Sequence, residues 1–80
     1  MGAESVRIVR SLDLRGLKCP LPALRTRKAL AGLAPGERLE VSATDALAAI
    51  DIPHLLRQTG DHLERSEQAD GVLRFLIRKA

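Results

Sequence analysis

The fold of this chain is decided by the segment Gly16-Leu17-Lys18-Cys19-Pro20-Leu21-Pro22, which separates a strand pattern from a helix pattern. Pro22 is acceptable in the first turn of a helix, but the two prolines together disfavour any helix that extends back through Cys19. Gly16 suits a tight turn into this loop. We therefore expect Cys19 to lie exposed between a strand and a helix N-terminus, with Gly16, Pro20 and Pro22 supporting its position.

Apolar spacing on either side of the loop predicts a strand, a helix and a second strand. Before the loop, apolar residues recur at a period of two and indicate a strand that ends near Gly16. These residues are Val6, Ile8, Leu12 and Leu14. After the loop, helical spacing predicts a helix from about Pro22 to Leu33. Beyond the Pro35-Gly36 turn, alternation of apolar and polar residues predicts a strand from Arg38 to Ala43.

A second helix is indicated by the residues between Asp45 and Gly60. Pro53 is tolerated only near a helix start, so we expect a single turn after Asp45 and the main helix after Asp51. Both aspartates are interpreted as helix caps. Gly60 suits the left-handed residue that closes a helix.

The C-terminal part of the chain predicts a β-hairpin. Leu63 to Gln68 is polar enough for an edge strand, Asp70-Gly71 is a strong hairpin turn, and Leu73 to Ile77 alternates as a last strand. The strand-helix-strand unit implies a parallel crossover, whereas the hairpin is antiparallel. The sequence thus predicts an α/β two-layer sandwich of order βαβαββ, with a mixed four-stranded sheet and both helices on one face. Residues 1–80 are too few for two cores, so we expect one domain.

Composition restricts the class of protein. Apolar residues make up 45% of the chain and charged residues 29%, which is typical of a globular domain rather than a disordered or membrane-spanning one. A single cysteine excludes an internal disulfide, and the N-terminus shows no secretory signal. We therefore expect a cytoplasmic protein without a membrane partner.

Charge is distributed unevenly along the chain. Five basic residues and no acidic residue lie between Leu14 and Gly36, namely Arg15, Lys18, Arg25, Arg27 and Lys28. From Ala29 onward there are six basic and eight acidic residues. We therefore expect a positive field around Cys19. With Arg15 and Lys18 as the local cations, that field and the helix N-terminus are expected to lower the pKa of the thiol below its usual value of about 8.5.

A lone thiol is compatible with several kinds of site. Cys19 could be a small buried apolar residue, but its proline-flanked loop argues against burial. His54 and His62 lack the spacing of a zinc motif, and nothing in the sequence places either one against the thiol as a cysteine hydrolase would need. A thiol-disulfide oxidoreductase would need a second cysteine. The chemistry that remains natural is group transfer, in which the thiolate accepts a neutral sulfur as a persulfide.

Several motifs resemble the TusA/SirA/YedF family of sulfur carriers from about Leu12 onward. The motifs are Asp13-Leu14-Arg15-Gly16-Leu17-Lys18-Cys19-Pro20-Leu21-Pro22, Pro35-Gly36-Glu37, Asp45, Asp51-Ile52-Pro53 and Leu76-Ile77-Arg78-Lys79. The resemblance implies the strand order one, two, four, three, similar to the C-terminal domain of a bacterial translation initiation factor. It also implies that Cys19 takes persulfide sulfur from a cysteine desulfurase or a rhodanese and relays it to a downstream sulfur carrier protein.

The family's known destinations for sulfur include thiolation of tRNA, molybdenum cofactor assembly and sulfur oxidation, and some relatives are linked to selenium. Leu21 stands where the tRNA-thiolation branch has Glu, so the pathway stays open. The resemblance implies a carrier that acts with partner enzymes rather than as a stand-alone catalyst. We expect no cofactor, no metal and a monomer when the protein is free.

The basic helix face after the thiol has two interpretations. Arg25, Arg27 and Lys28 are either a solvated face or a docking surface for partner proteins, and the resemblance favours Arg27 as a partner contact. An alternative function is an RNA-binding or regulatory module that uses this patch. The chain has one Phe, no Tyr and no Trp, whereas recognition of single-stranded RNA depends on aromatic stacking, so we expect no direct nucleic-acid partner. A redox-sensing thiol is a third possibility.

Overall fold

The computed structural model describes residues 8–80 and contains four strands and two helices in the predicted order within that range. The elements are β1 (Ile8–Leu14), α1 (Leu21–Ala31), β2 (Arg38–Ala43), α2 (Ala48–Thr59), β3 (His62–Ala69) and β4 (Val72–Arg78). Val6, the first member of the predicted β1 pattern, lies outside the described residues. The predicted βαβαββ architecture is confirmed.

The sheet is mixed and its strands follow the order β1-β2-β4-β3. β1 and β2 are parallel, whereas β4 is antiparallel to both β2 and β3. Leu14 pairs with Ala43, and Ala43 pairs with Leu73. The loops that follow β1 and β2 therefore leave the sheet side by side, at the C-terminal ends of these two strands. The candidate site lies at this end of the sheet.

The hydrophobic core lies on one face of the sheet, under both helices. In β2 and β4 every second residue is buried, and the residues between them remain at least partly exposed. α1 and α2 add apolar side chains to the same cluster. Its members from these four elements are Ala29, Leu30, Leu39, Val41, Ala43, Ala48, Ile52, Leu56, Leu73, Phe75 and Ile77. Because each large apolar side chain contributes about 1.5–3 kcal/mol on burial, this shared cluster holds both helices on one face, as predicted.

α1 begins and ends close to the predicted positions. It starts at Leu21, one residue before the predicted Pro22, and Pro22 is buried in its first turn. The helix ends at Ala31 rather than Leu33, because the N–H groups of Gly32 and Leu33 donate to carbonyls three residues back instead of four. Leu33 still packs against the core from outside the helix.

The predicted start of α2 is wrong. The helix begins at Ala48 and carries Pro53 in its interior, with Leu47 as the N-cap residue. Hydrogen bonds between residues three apart tighten the first turn, so the expected short turn after Asp45 runs directly into the helix. Asp51 therefore lies on the helix rather than before it. Gly60 ends α2 with a φ of 84° and donates to the carbonyl of Leu56, as predicted.

The C-terminal hairpin agrees with the sequence pattern. β3 is an edge strand and is exposed along its whole length. The turn residues Asp70 and Gly71 both have positive φ, at 53° and 77°, as the tightest hairpin turns require. Within residues 8–80 the longest helix has 12 residues, short of the roughly 20 that cross a bilayer.

Candidate functional site

Cys19 lies exposed in the loop between β1 and α1, which confirms its predicted location. Gly16 makes the turn into this loop with a φ of 87°, and its N–H donates to Oγ1 of Thr44 at 2.8 Å. Pro20 is the N-cap residue of α1, and the peptide bond between Cys19 and Pro20 is cis. The thiol is thus held at the start of α1, and the alternative of a buried cysteine is wrong.

Asp45 fastens the cysteine loop to the loop that precedes α2. Its Oδ2 accepts a hydrogen bond from the backbone N–H of Cys19 at 2.6 Å, and its Oδ1 accepts one from the N–H of Leu47 at 3.0 Å. The hydrogen bond from Leu47 is the largest cause that lowers the pKa of the Asp45 carboxyl, and the one from Cys19 is the next. The charge of Lys18 lowers this pKa further. As predicted, Asp45 caps the short turn that leads into α2, because its side chain accepts the N–H of Leu47 and its own carbonyl accepts the N–H of Ala48.

Asp51 contacts the sulfur atom itself. It lies in the first turn of α2, and its Oδ2 accepts a hydrogen bond from Sγ of Cys19 at 3.0 Å. Asp51 lies inside α2, which begins at Ala48, so the interpretation of Asp51 as a helix cap is wrong. The carboxylate is directed at the thiol instead.

The pKa of the Cys19 thiol is raised above its usual value, opposite to the prediction. The hydrogen bond to Asp51 is the largest cause, followed by desolvation and by the negative charges of Asp51 and Asp45. Carboxylates stabilise the protonated thiol and disfavour the thiolate. Between Leu14 and Gly36 the only charged residues in the sequence are basic, but the fold brings two acids to Cys19 from 26 and 32 positions away.

The two cations expected to act on the thiol are engaged elsewhere. Nε and Nη2 of Arg15 donate to the two carboxylate oxygens of Asp13 at 2.8 and 2.9 Å. This pairing lowers the pKa of Asp13 to about 2. Lys18 is exposed, and its charge acts on the carboxyl of Asp45. Neither cation is among the causes that shift the pKa of Cys19.

A groove between α1 and α2 runs from the thiol and encloses about 290 Å³. Apolar side chains form much of its wall, and four polar or charged side chains line it besides the thiol. The lining residues are Cys19, Pro20, Ala23, Leu24, Arg27, Asp51, His54, Leu55 and Gln58. Arg27 is therefore the one member of the predicted basic face that lines this groove. Arg25 and Lys28 are exposed on α1 outside its lining.

His54 lies in the same groove as Cys19, which the sequence did not indicate. Its Nε2 is 3.4 Å from Nε2 of Gln58, one turn further along α2. Helical spacing from Asp51 to His54 and Gln58 was the available signal, because residues three and four apart share one face of a helix. The incorrect start predicted for α2 concealed that signal.

Exposed apolar side chains lie at the starts of the two helices that flank the site, and we call them the apolar rim. Leu21 is 41% exposed, Leu24 55%, Leu47 50% and Ile50 66%. Leu21 and Leu24 belong to the first turn of α1, and Leu47 and Ile50 to the start of α2. An exposed apolar cluster of this kind is typical of a surface that contacts another protein.

Comparison with known proteins assigns the chain to a family. Residues 10–79 match the family model described as sulfurtransferase TusA. The sulfur carrier protein TusA of Allochromatium vinosum is 41% identical over 71 residues, which cover 89% of this chain and 93% of that protein. A Neisseria meningitidis protein described as a candidate sulfur carrier is 46% identical over 68 residues, covering 85% and 92%.

A solved structure gives the same result. The SirA-like protein of Desulfitobacterium hafniense superposes with a TM-score of 0.77 at 27% identity, covering 88% of this chain and 96% of that chain. The chain therefore belongs to the TusA family of sulfurtransferases. The family resemblance and the strand order that it implied are both confirmed.

Proposed function

We propose that residues 1–80 form one sulfur-carrier domain in which Cys19 accepts sulfur as a persulfide and passes it to another protein. The observation that carries this proposal is the placement of the chain's only cysteine, exposed at a helix start and in contact with a carboxylate, in a member of the TusA family. A reactive cysteine has to be accessible to its reaction partner. The geometry of the loop provides that access.

The transfer needs no oxidant or reductant beyond the persulfide itself. Sγ of Cys19 attacks the outer sulfur of a donor persulfide, the sulfur–sulfur bond of the donor breaks, and the donor leaves as a thiol. Cys19 then carries the persulfide. An acceptor thiol attacks its outer sulfur in turn and regenerates the free thiol of Cys19.

The donor in this proposal is a cysteine desulfurase or a rhodanese, and the acceptor is a downstream sulfur carrier protein. The apolar rim supports a protein partner, since a protein docked over the starts of α1 and α2 would desolvate its four exposed apolar side chains. Arg27 on the groove supplies a charge that orients such a partner, and Arg25 and Lys28 strengthen its attraction over a longer range. We place the exchange in the cytoplasm, where thiols are kept reduced.

Intact-mass measurement tests the proposal. The protein is incubated with a cysteine desulfurase and cysteine, or with a rhodanese and thiosulfate, and its mass is compared before and after treatment with a reductant. We expect a gain of one sulfur atom that the reductant removes, and no gain for Cys19→Ser. The absence of a sulfur adduct on the wild-type protein with every donor of both classes would reject the proposal.

A further inference from the structure

We propose that Asp51 is a catalytic residue that moves the proton of Cys19 during sulfur transfer. The inference rests on the proposed sulfur-carrier function and adds to it a second residue that touches the reacting atom. Oδ2 of Asp51 lies 3.0 Å from Sγ of Cys19, which is within the distance that a general base requires.

The two aspartates at the site have different tasks. Both oxygens of Asp45 accept backbone N–H groups, from Cys19 and Leu47, so Asp45 positions the loop. Asp51 instead reaches the sulfur from the neighbouring helix. Its carboxylate lines the groove together with Cys19 and makes no hydrogen bond to the backbone of the cysteine loop.

A base is needed because the thiol has to lose its proton before or during attack. The nucleophile in thiol exchange is the thiolate, and the surroundings of Cys19 raise its pKa, so the resting thiol keeps its proton at neutral pH. An adjacent base solves this problem by accepting the proton as the sulfur–sulfur bond forms. A carboxylate that stabilises the thiol in the resting protein is therefore also placed to receive its proton.

The loading step balances with Asp51 as the proton carrier. Sγ of Cys19 attacks the outer sulfur of the donor persulfide, and its proton moves to Oδ2 of Asp51. The sulfur–sulfur bond of the donor breaks with its electron pair on the departing sulfur, which takes the proton from Asp51 and leaves as a thiol. Delivery is the same exchange with the roles reversed, so Asp51 takes the proton of the acceptor thiol and returns it to Cys19.

Other charged groups also face this pair. Asp45 lies on the loop before α2 and raises the pKa of the thiol through its charge. Lys18 acts on the carboxyl of Asp45, while Arg27 on α1 and His54 on α2 line the groove. His54 is a second side chain on the groove that can act as a base, so a test has to separate it from Asp51.

Two measurements on Asp51→Asn test the inference. The first is an ultraviolet titration of the thiolate, which is clean because the chain has a single Cys and no Tyr or Trp. The second is the single-turnover rate of sulfur loading at neutral pH from a donor persulfide at saturating concentration. We expect the thiol pKa to fall, because the carboxylate whose hydrogen bond raises it most is removed. We expect the loading rate to fall by about 100-fold, which is the lower limit of what general base catalysis contributes.

The opposite directions of these two changes separate a base from a purely electrostatic neighbour. If Asp51 only disfavoured the thiolate, its removal would raise the thiolate fraction and speed up loading. At a pH above the thiol pKa of both proteins, the rates of wild type and variant should converge, because no proton then remains to be moved. Asp51→Ala should repeat both results if Asp51→Asn proves unstable.

Asp70→Asn is the matched control, because it removes one carboxylate from the β3–β4 turn, away from the groove. It should leave the thiol pKa and the loading rate unchanged.

Loading by Asp51→Asn at or above the wild-type rate at neutral pH would overturn the inference, as would an unchanged thiol pKa in the folded variant. Loss of loading in His54→Gln but not in Asp51→Asn would assign the base to His54 instead. Failure of the wild-type protein to load would reject the proposed function itself.

Discussion

The backbone N–H of Cys19 donates a hydrogen bond of 2.6 Å to Oδ2 of Asp45, a residue 26 positions further along the chain. The same carboxylate accepts the N–H of Leu47, so it joins the loop after β1 to the loop after β2. These loops are neighbours because β1 and β2 are parallel and adjacent in the sheet. The position of the thiol is thereby set by two loops rather than one.

Asp45→Ala should loosen the cysteine loop without unfolding the sheet. Both N–H groups lose their acceptor, while the buried core residues are untouched. We expect faster amide hydrogen exchange at Cys19 and Leu47, measured by NMR, and unchanged exchange at the central strand residue Val41. Protection of the Cys19 amide equal to that in the wild type would show that the loop is held by other contacts.

Acid should destabilise the protein as its hydrogen-bonded carboxylates become protonated. The folded state lowers the pKa of Asp13 from 3.8 to about 2 through Arg15, and it lowers that of Glu64 mainly through the hydrogen bond from Arg38. A carboxyl with a lowered pKa stabilises the folded state above its unfolded pKa, and this contribution is lost as pH falls through the folded value. For Asp13 the window is therefore between about pH 4 and pH 2.

Urea unfolding at a series of pH values checks this expectation. The midpoint should fall with decreasing pH in the wild type and fall less in Asp13→Asn, which has no carboxyl to protonate at that position. High salt should reduce the difference, because Arg15 and Asp13 are both exposed and their ion pair is screened. Equal pH dependence in the two proteins would mean that this ion pair adds nothing to folding.

Cys19→Ser should abolish sulfur acceptance while leaving stability almost unchanged. The residue is exposed, so the hydroxyl that replaces the thiol is hydrated rather than buried. A serine hydroxyl does not form a persulfide, so loading disappears. Thermal unfolding followed by circular dichroism measures the first effect and intact mass the second. A large drop in the unfolding midpoint would indicate a packing role that the exposed position does not explain.

Arg27→Glu should slow sulfur transfer more than Lys28→Glu does. The two substitutions reverse the same charge on adjacent residues of α1, but only Arg27 lines the groove that begins at Cys19. We expect the association rate to fall about threefold more for Arg27→Glu than for Lys28→Glu, toward the lower end of the range usual among mutants of one interface. The rate for Arg27→Glu should also differ more from the wild-type rate at low salt than at high salt. Stopped-flow loading at low and high ionic strength gives both quantities. Equal losses would indicate attraction by the basic helix as a whole.

Ile77→Ala should be strongly destabilising, in contrast to Leu76→Ala beside it. Ile77 is fully buried in the core, whereas Leu76 is only partly buried on the opposite face of β4. Truncating a buried Ile costs about 2–5 kcal/mol, because transfer energy is lost and a cavity remains. Denaturant unfolding of both variants measures the difference. Similar losses would mean that the open face of the sheet is covered by another surface in solution.

Local patterns in the sequence determined most of the architecture. Alternation along β2 and β4, helical spacing in α1, and the turns at Gly60 and Asp70-Gly71 each depend on residues a few positions apart, and the structure has all of them. The proline-flanked loop likewise determined that Cys19 is exposed. The start of α2 could not be predicted in this way. Pro53 favours a helix start close to it, whereas the hydrogen-bonded turn after Asp45 leads directly into the helix at Ala48.

The electrostatic surroundings of the thiol were decided only by the tertiary structure. Within ten positions of Cys19 on the C-terminal side the chain carries only basic charges, and this predicted a lowered pKa. Parallel pairing of β1 with β2 and the packing of α2 beside α1 bring Asp45 and Asp51 to Cys19 instead. Electrostatic interactions depend on distance in space, so two carboxylates within hydrogen-bonding distance outweigh cations that are near only in sequence.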